Sequence, residues 1–268
     1  MPLTTSPELV FWLALATKMA VTALFVTAAT IIAERLGAIV GTLVATLPVS
    51  AGPVYVFLAL DHDATFIAAS AVTSLATYAA TAIFVTVYVL SAQRHSLWVS
   101  MSLAFSAWLS AALALGAVAW TAFPAFVFNV IVCSVCFFIV RPFCLVHMPS
   151  TTYPWRDFVL RAAMVAMLVG AVVASSFRIG PTGSGVLAVF PIIHTSIILI
   201  LHRRVGGPAT AAVLANALPG LVGFAAALLT LHLAAVPFGS ALALILALGV
   251  SVACNAIVYA VRLRQGVA

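Results

Sequence analysis

The feature that most constrains this chain is a series of apolar runs, most of them about 20 residues long and almost free of charge. Only 6% of the 268 residues are charged and 65% are hydrophobic, whereas a water-soluble domain carries roughly 25% charged residues. So much apolar surface cannot be hidden in one water-soluble core, so lipid is the predicted solvent. Because the runs are continuous and do not alternate, they indicate helices rather than a barrel. The sequence therefore predicts an all-α, polytopic membrane protein.

Short polar or proline-containing turns divide the apolar sequence into about nine transmembrane helices. The predicted spans cover about 9–33, 38–60, 64–92, 97–120, 123–140, 158–177, 186–201, 209–234 and 238–261.

The basic residues support this count. Nine spans sort the loops into two sets, one holding the N-terminus, the Asp61–Asp63 turn and Arg178. The other set is much richer in arginine and holds Arg35, Arg94, Arg141, Arg156, Arg161, Arg203, Arg204, Arg262 and Arg264. The positive-inside rule then predicts an outer N-terminus and a cytoplasmic C-terminus. Since the net charge of +6 is scattered over span ends, no nucleic-acid partner is predicted.

The chain also contains an internal repeat. The stretch Lys18–Thr81 recurs as Arg161–Phe224 without a gap, at a fixed offset of 143 residues, the separation of Arg35 from Arg178. Nine spans with this offset place four spans in each copy and one between them, and the two copies enter the membrane from opposite sides. The predicted architecture is a 4+1+4 inverted-topology repeat, which is typical of secondary transporters. A duplication kept only for packing is the alternative.

Three units follow from this arrangement. Residues 1–120 form the first repeat unit, 121–157 a linker span with an interfacial loop, and 158–268 the second repeat unit.

The candidate site lies at two equivalent prolines. Pro48 lies near the middle of the second span, and its repeat mate Pro191 lies in the seventh. Proline removes a backbone hydrogen bond, and polar side chains gather just after it in both copies. We expect both helices to be broken there and to meet near the midplane; two proline-kinked, closely packed helices are the alternative. The predicted substrate-binding residues are Lys18, Pro48, Ser50, Gly52, Pro53, Thr73, Pro191, His194, Thr195 and Asn216.

Three of these residues carry specific expectations. Lys18 is a cation well inside a span, so it needs a partner, a watery cavity or a functional role. If Lys18 faces a substrate cavity, it would favour an anionic substrate. His194 is the candidate for proton handling, against a merely satisfied polar group. Asn216 would bind substrate or an ion, or bond another helix. Just after it, Pro219–Gly220 is predicted to interrupt the eighth span.

Two further segments have weaker functional readings. The Gly180–Gly185 stretch is a predicted turn, either an anion-binding nest or a gate hinge. The Asp61–Asp63 turn is a solvated turn or, less favoured, a metal or acid–base site. Neither pattern leads us to predict a metal or a cofactor.

Each proline-containing unit resembles the GlpM-like group of small bacterial inner-membrane proteins. The resemblance rests on a glycine-initiated span with a central proline and a following polar turn, here Gly37 to Pro48 and Gly183 through Pro191 to His202. It covers about half of the chain. The resemblance implies the bacterial inner membrane and supplies no catalytic residues.

These patterns favour a secondary transporter of a small metabolite that works by alternating access, with or without a coupling ion. A noncatalytic subunit or assembly factor of a membrane complex is the alternative, and an intramembrane lipid-modifying enzyme is less favoured. The chain is therefore not predicted to be an enzyme. Its predicted partners are the lipid bilayer and a small-molecule substrate, and a homo-oligomer is left open.

Overall fold

The computed structural model describes residues 6–35, 48–144 and 154–264, and within these ranges the regular structure is helical. The helices are α1 (Pro7–Arg35), α2 (Ala51–Asp61), α3 (Ala64–Thr77), α4 (Ala79–Ser91), α5 (Leu97–Gly116), α6 (Ala122–Val140), α7 (Trp155–Ala188), α8 (Ile192–Phe238) and α9 (Ser240–Arg264). A short 3-10 helix, Arg141–Phe143, follows α6.

Membrane character is evident in both the lengths and the surfaces of the helices. Seven described helical stretches are long and apolar enough to cross a bilayer, with α3 and α4 together counting as one. Large apolar side chains remain exposed along the outer helices, including Trp12, Leu24, Phe123, Ile131 and Ile245. Such a surface suits lipid and not water. The prediction of an all-α, polytopic membrane protein is confirmed.

The helix pair α3–α4 lies at the centre of the bundle. Its largest side chains, among them Ile67, Leu75, Phe84 and Tyr88, are fully buried. Small residues alternate with them, so neighbouring helices can approach closely. The packing around this pair therefore decides where the candidate site residues lie.

Two glycines divide the long helices α7 and α8. Gly180 has φ 66° inside α7 and Gly206 has φ 83° inside α8, a backbone conformation that suits glycine. Three non-helical residues, 189–191, separate α7 from α8. Residues 181–205 thus form a separate unit of two short helices, 181–188 and 192–205, which we call the broken segment.

The broken segment follows α3–α4 for much of its length. The Ser74 hydroxyl bonds the carbonyl of Gly185 at 2.6 Å, and Tyr88 bonds His202 at 2.7 Å. Between these contacts, the Thr81 hydroxyl donates to the carbonyl of Val189 at 3.2 Å. The order of contacts shows that the segment runs in the same direction as α3–α4.

Helix α5 runs alongside the same segment in the opposite direction. A Cβ built on Gly116 would lie 3.4 Å from Val186, and the guanidinium of Arg203 lies 5.6 Å from the Trp98 ring centroid. Helix α5 has 20 residues, about 30 Å at 1.5 Å per residue. The broken segment therefore extends over about the thickness of a bilayer's hydrocarbon core.

These contacts also define two ends of the bundle. At the first end, His62 bonds Ser176 and His232 bonds the carbonyl of Ala68, both at 2.8 Å. At the second end, Asp157 pairs with Arg204 at 2.7 Å. The first end holds the α2–α3 turn and Gly180, and the second holds Gly206 and the start of α7.

Two predicted interruptions of helices are wrong. The Gly180–Gly185 stretch is not an extended turn, because the helix resumes at Pro181, whose fixed φ and missing N–H suit the first turn of a helix. Pro219 does not interrupt α8, which is helical from 207 to 238. Prolines are tolerated in membrane helices when neighbouring groups re-satisfy the backbone. The predicted span at 38–60 lies partly outside the described residues.

Candidate functional site

The break in the broken segment is centred on Pro191. Its φ and ψ of −75° and 46° depart from helix geometry, and α8 begins at the next residue. At the start of the new helix, the Thr195 N–H makes a helical hydrogen bond to the carbonyl of Pro191 at 2.9 Å, and the Thr195 hydroxyl donates to the same carbonyl at 2.8 Å. The break is thus a defined turn with specific partners, and not a loose bend.

Pro48 occupies a similar place before α2. Pro48 itself is non-helical, Val49 and Ser50 form a turn, and α2 begins at Ala51. The N–H of Gly52 donates to the carbonyl of Pro48 at 2.7 Å. Residues 36–47, which precede this proline, lie outside the described residues. After both prolines, therefore, a short helix starts within three residues.

Ser74 on α3 links α2 to the broken segment. Its hydroxyl donates to the carbonyl of Gly185 and lies 2.6 Å from the Tyr55 hydroxyl, which must therefore donate to Ser74. All three groups are buried. Thr73 also lies against Gly185, since a Cβ built on that glycine would be 3.0 Å from the Thr73 Cβ. Helices α2 and α3 and the broken segment therefore meet at this point.

Two serine hydroxyls near this contact are buried and make no hydrogen bond within the described residues. They are Ser70, one turn before Ser74, and Ser184, next to Gly185. A buried hydroxyl without a partner is costly unless water or a ligand satisfies it. These two hydroxyls are therefore candidates to bind a polar ligand at this depth.

Aromatic side chains cover the other side of the Pro191 break. Phe190 stacks on Phe105 with ring centroids 5.6 Å apart and meets Trp108 edge-on at 5.0 Å. This cluster shields the non-helical backbone from lipid. The break thus has a polar side towards α3–α4 and an apolar side towards α5.

Lys18 has the partner that its position required. Its ammonium lies 2.6 Å from both carboxylate oxygens of Asp61, and it lies 6.0 Å from the Phe57 ring centroid. The Lys18 and Asp61 side chains are only 18% and 20% exposed. The charge of Lys18 is therefore balanced within the protein, where the sequence left its partner unknown.

The α2–α3 turn is only partly solvated. His62 stacks on Phe66 at 3.8 Å and contacts Phe177 at 4.3 Å. Burial lowers the pKa of His62, and Lys18 lowers it further, while Asp61 and Asp63 oppose the shift.

Asp63 begins α3 as an N-cap. Its carboxylate accepts a hydrogen bond from the Phe66 N–H at 2.8 Å, which lowers the pKa of this exposed carboxyl, with a smaller effect from Thr65. Among the described residues, no three His, Cys, Asp or Glu side chains are grouped so that they could hold a metal ion.

The structure separates the predicted site residues into four regions. Thr73 on α3 lies against Gly185, while Pro191, His194 and Thr195 lie at the break of the broken segment. Pro48 and Ser50 come just before α2, and Gly52 and Pro53 lie in its first turn. Lys18 lies with Asp61 towards the first end. Asn216 lies towards the second end, where its amide donates to the carbonyls of Cys144 and Ala212, both at 3.0 Å. It thus bonds a neighbouring helix end, as one reading of its sequence predicted.

Sequence reasoning missed the polar contacts that organise this region. Tyr55, Ser74 and Tyr88 each sit in an apolar stretch with no motif around them. Their partners lie 19 to 114 residues away along the chain. The sequence analysis predicted only that the two proline-containing helices meet.

No known family model, no curated protein and no solved structure matches this chain.

Proposed function

We propose that the protein is a secondary transporter that moves a small metabolite across the membrane by alternating access. The observation that carries this proposal is the proline-broken segment, which extends along the whole of α5 with its break beside buried polar groups. Non-helical backbone at membrane depth is tolerated only where it is buried in protein or lines a cavity. Broken helices of this kind provide the carbonyls and helix ends that bind substrates in many transporters.

The helix boundaries support a structural repeat. Shifted by 143 residues, α2 would cover 194–204 and α3–α4 would cover 207–234; the helices observed there cover 192–205 and 207–238. Helix α5 would fall on 240–259, and α9 is Ser240–Arg264. Shifted by the same offset, α6 falls outside the described residues. This pattern favours four spans per copy around one linker helix.

The directions of these helices favour inversion of the repeat. Helix α2 ends at the first end, beside His62, whereas the equivalent helix 192–205 ends at the second end, beside Asp157. Likewise, α3 begins at the first end and the helix 207–238 begins at the second. We count the broken segment and the predicted span at 38–60 as one crossing each, so the proposed architecture has nine spans related by a pseudo-two-fold axis in the membrane plane.

The charge distribution orients the bundle. The described arginines at the second end are Arg94, Arg141, Arg156, Arg203 and Arg204, whereas the first end holds Arg178 with Asp61 and Asp63. The positive-inside rule then places the second end in the cytoplasm of a bacterial inner membrane. Cysteine labelling of intact cells should show Arg178→Cys outside and Arg94→Cys inside; the reverse would refute this orientation.

The side chains around the broken segment suggest the kind of substrate. Buried hydroxyls at Ser70 and Ser184 favour a small molecule with hydrogen-bonding groups, and the aromatic cluster around Phe190 favours one with an apolar part. An anionic substrate would have to draw Lys18 away from Asp61. The substrate's charge therefore depends on whether that ion pair opens during transport.

The experiment is reconstitution of the purified chain alone into liposomes, followed by solute counterflow with a panel of metabolites. Flux that Ser184→Ala lowers and the lipid-facing control Ser134→Ala leaves unchanged would support transport. Conversion of a lipid into a product would indicate an enzyme instead. Folded protein that gives no flux with any solute would indicate a subunit of a larger complex.

A further inference from the structure

Two ion pairs in the described residues link corresponding parts of the two repeats. Lys18 on α1 pairs with Asp61, the last residue of α2, at 2.6 Å. Asp157 in the first turn of α7 pairs with Arg204, near the end of the helix 192–205, at 2.7 Å. Each pair therefore connects the first helix of its repeat to the short helix that leads away from the proline.

The pairs are related by the repeat, with their charges exchanged. Asp61 and Arg204 are equivalent positions at the offset of 143 residues. The equivalent of Lys18 is Arg161, one helical turn from Asp157 on the same face of α7. The acid lies on the short helix in the first copy and on the long helix in the second. Because the short helices end at opposite ends of the bundle, the two pairs lie in opposite halves of the protein.

Their exposure suits contacts that form and break. The four side chains are between 13% and 30% exposed. A fully buried pair would leave two unsolvated charges when it opened, at a cost of several kcal/mol. A fully exposed pair would contribute almost nothing to holding two helices together. Pairs at intermediate depth hold the helices together and can be hydrated when the helices separate.

We propose that the two ion pairs are the latches of two gates: Lys18–Asp61 closes the first end, Asp157–Arg204 closes the second, and they open in turn during the transport cycle. The proposal rests on the proposed transport function and specifies which ion pairs would control access from each end. Both ion pairs are formed in the structure. Opening one latch frees the short helix beside it to move away from α1 or α7 and exposes its proline break to that side.

The test measures access to the break without any substrate. Two reporters are used, each in the full chain with its four native cysteines replaced: Ser50→Cys, beside Pro48, reports on the Lys18–Asp61 latch, and His194→Cys, beside Pro191, reports on the Asp157–Arg204 latch. A membrane-impermeant maleimide is applied to right-side-out and inside-out vesicles, and the ratio of the labelling rates from the two sides is measured. Asp61→Asn should raise access from the first end relative to the second by roughly fivefold, and Asp157→Asn should shift the ratio in the opposite direction by a similar factor.

Matched controls separate latch loss from simple loss of charge. Asp63→Asn removes a carboxylate two residues from Asp61 and keeps an N-cap, and Arg203→Gln removes the cation next to Arg204. Both should leave the ratio unchanged. The exchanged double variant, Lys18→Asp with Asp61→Lys, should restore the wild-type ratio. It also tests the latch if Asp61→Asn fails to fold.

The latch proposal is overturned if the two substitutions shift the ratio in the same direction or leave it unchanged. It also fails if the exchanged pair does not restore the ratio. Such a result together with counterflow by the wild-type protein would reject the latches and leave the transporter standing. Opposite shifts in a protein that carries no solute would support two gated ends and reject the proposed transport.

Discussion

The hydroxyl of Ser74 donates to the carbonyl oxygen of Gly185 at 2.6 Å while it accepts a hydrogen bond from Tyr55. One small side chain on α3 thus satisfies groups on α2 and on the broken segment. The three groups are buried, so none of them has water as an alternative partner. This contact fixes the depth of the first short helix relative to the Pro191 break.

Replacing Ser74 with alanine should destabilise the protein by about 1–3 kcal/mol, because Tyr55 and the carbonyl of Gly185 would both lose their partner in a buried place. Thermal unfolding in detergent micelles measures the effect. Ser134→Ala is the matched control, since the Ser134 hydroxyl bonds only the carbonyl of Val130 in its own helix and faces outward. Equal unfolding temperatures for the two variants would contradict this account of the contact.

Gly185 also permits the close approach of the broken segment to α3. A Cβ at this position would overlap the backbone carbonyl oxygen of Ser70, which cannot move aside as a flexible side chain could. Gly185→Ala should therefore cost about 1–3 kcal/mol through overpacking.

Gly249→Ala on α9 is the control for Gly185→Ala, because nothing lies within 4 Å of the added Cβ. That variant should be neutral or gain about 0.5–1 kcal/mol, since alanine favours a helix more than glycine does. Circular dichroism during heating would compare the two. A stable Gly185→Ala protein would mean that α3 and the broken segment are not in tight contact.

A substitution at Gly206 tests how much backbone conformation alone contributes to stability, because packing does not change there. Its φ of 83° and ψ of 172° lie in a region that only glycine adopts easily, yet a Cβ there would have nothing within 4 Å. Gly206→Ala should therefore destabilise the protein by about 1–3 kcal/mol through backbone strain alone. The same heating experiment measures it, and an unchanged midpoint would show that the helix 192–205 continues straight into 207–238.

The membrane architecture and the break at Pro191 could be predicted from the sequence because both depend on local properties. A run of apolar residues specifies a span, and a proline removes a hydrogen bond wherever it stands. The tolerated proline at 219 was the exception, because the surroundings of a helix decide whether a lost bond can be compensated.

The partners of the polar residues could not be predicted. The sequence predicts for Lys18 a partner, a watery cavity or a functional role, and it predicts a solvated turn at Asp61, 43 residues away. The contact exists because α1 packs beside the end of α2, and packing of helix faces is decided by the whole bundle. For the same reason, the sequence named Asn216 as a site residue, although its amide bonds Cys144 near the second end.

His62 should make the stability of the protein depend on pH. Burial against Phe66 and Phe177 lowers its pKa below the ordinary 6.5, with Lys18 acting in the same direction and Asp61 and Asp63 against it. Because the unfolded chain then binds the proton more readily than the folded one, stability is complete above about pH 6.5 and falls as the pH drops from there towards the folded-state pKa.

The measurement is the unfolding temperature in micelles between pH 7.5 and pH 5 for the wild type and His62→Gln. Since the Ser176 hydroxyl bonds the carbonyl of Val173 at 2.9 Å, the His62 Nε2–H donates to Ser176, and glutamine can supply such a donor without titrating. The variant should therefore lose less stability on acidification than the wild type. Ser134→Ala, an exposed change that alters no titratable group, should keep the wild-type slope. An identical slope for all three proteins would show that His62 takes up its proton equally well in the folded and unfolded states, and that its stacking on Phe66 does not exclude the charged ring.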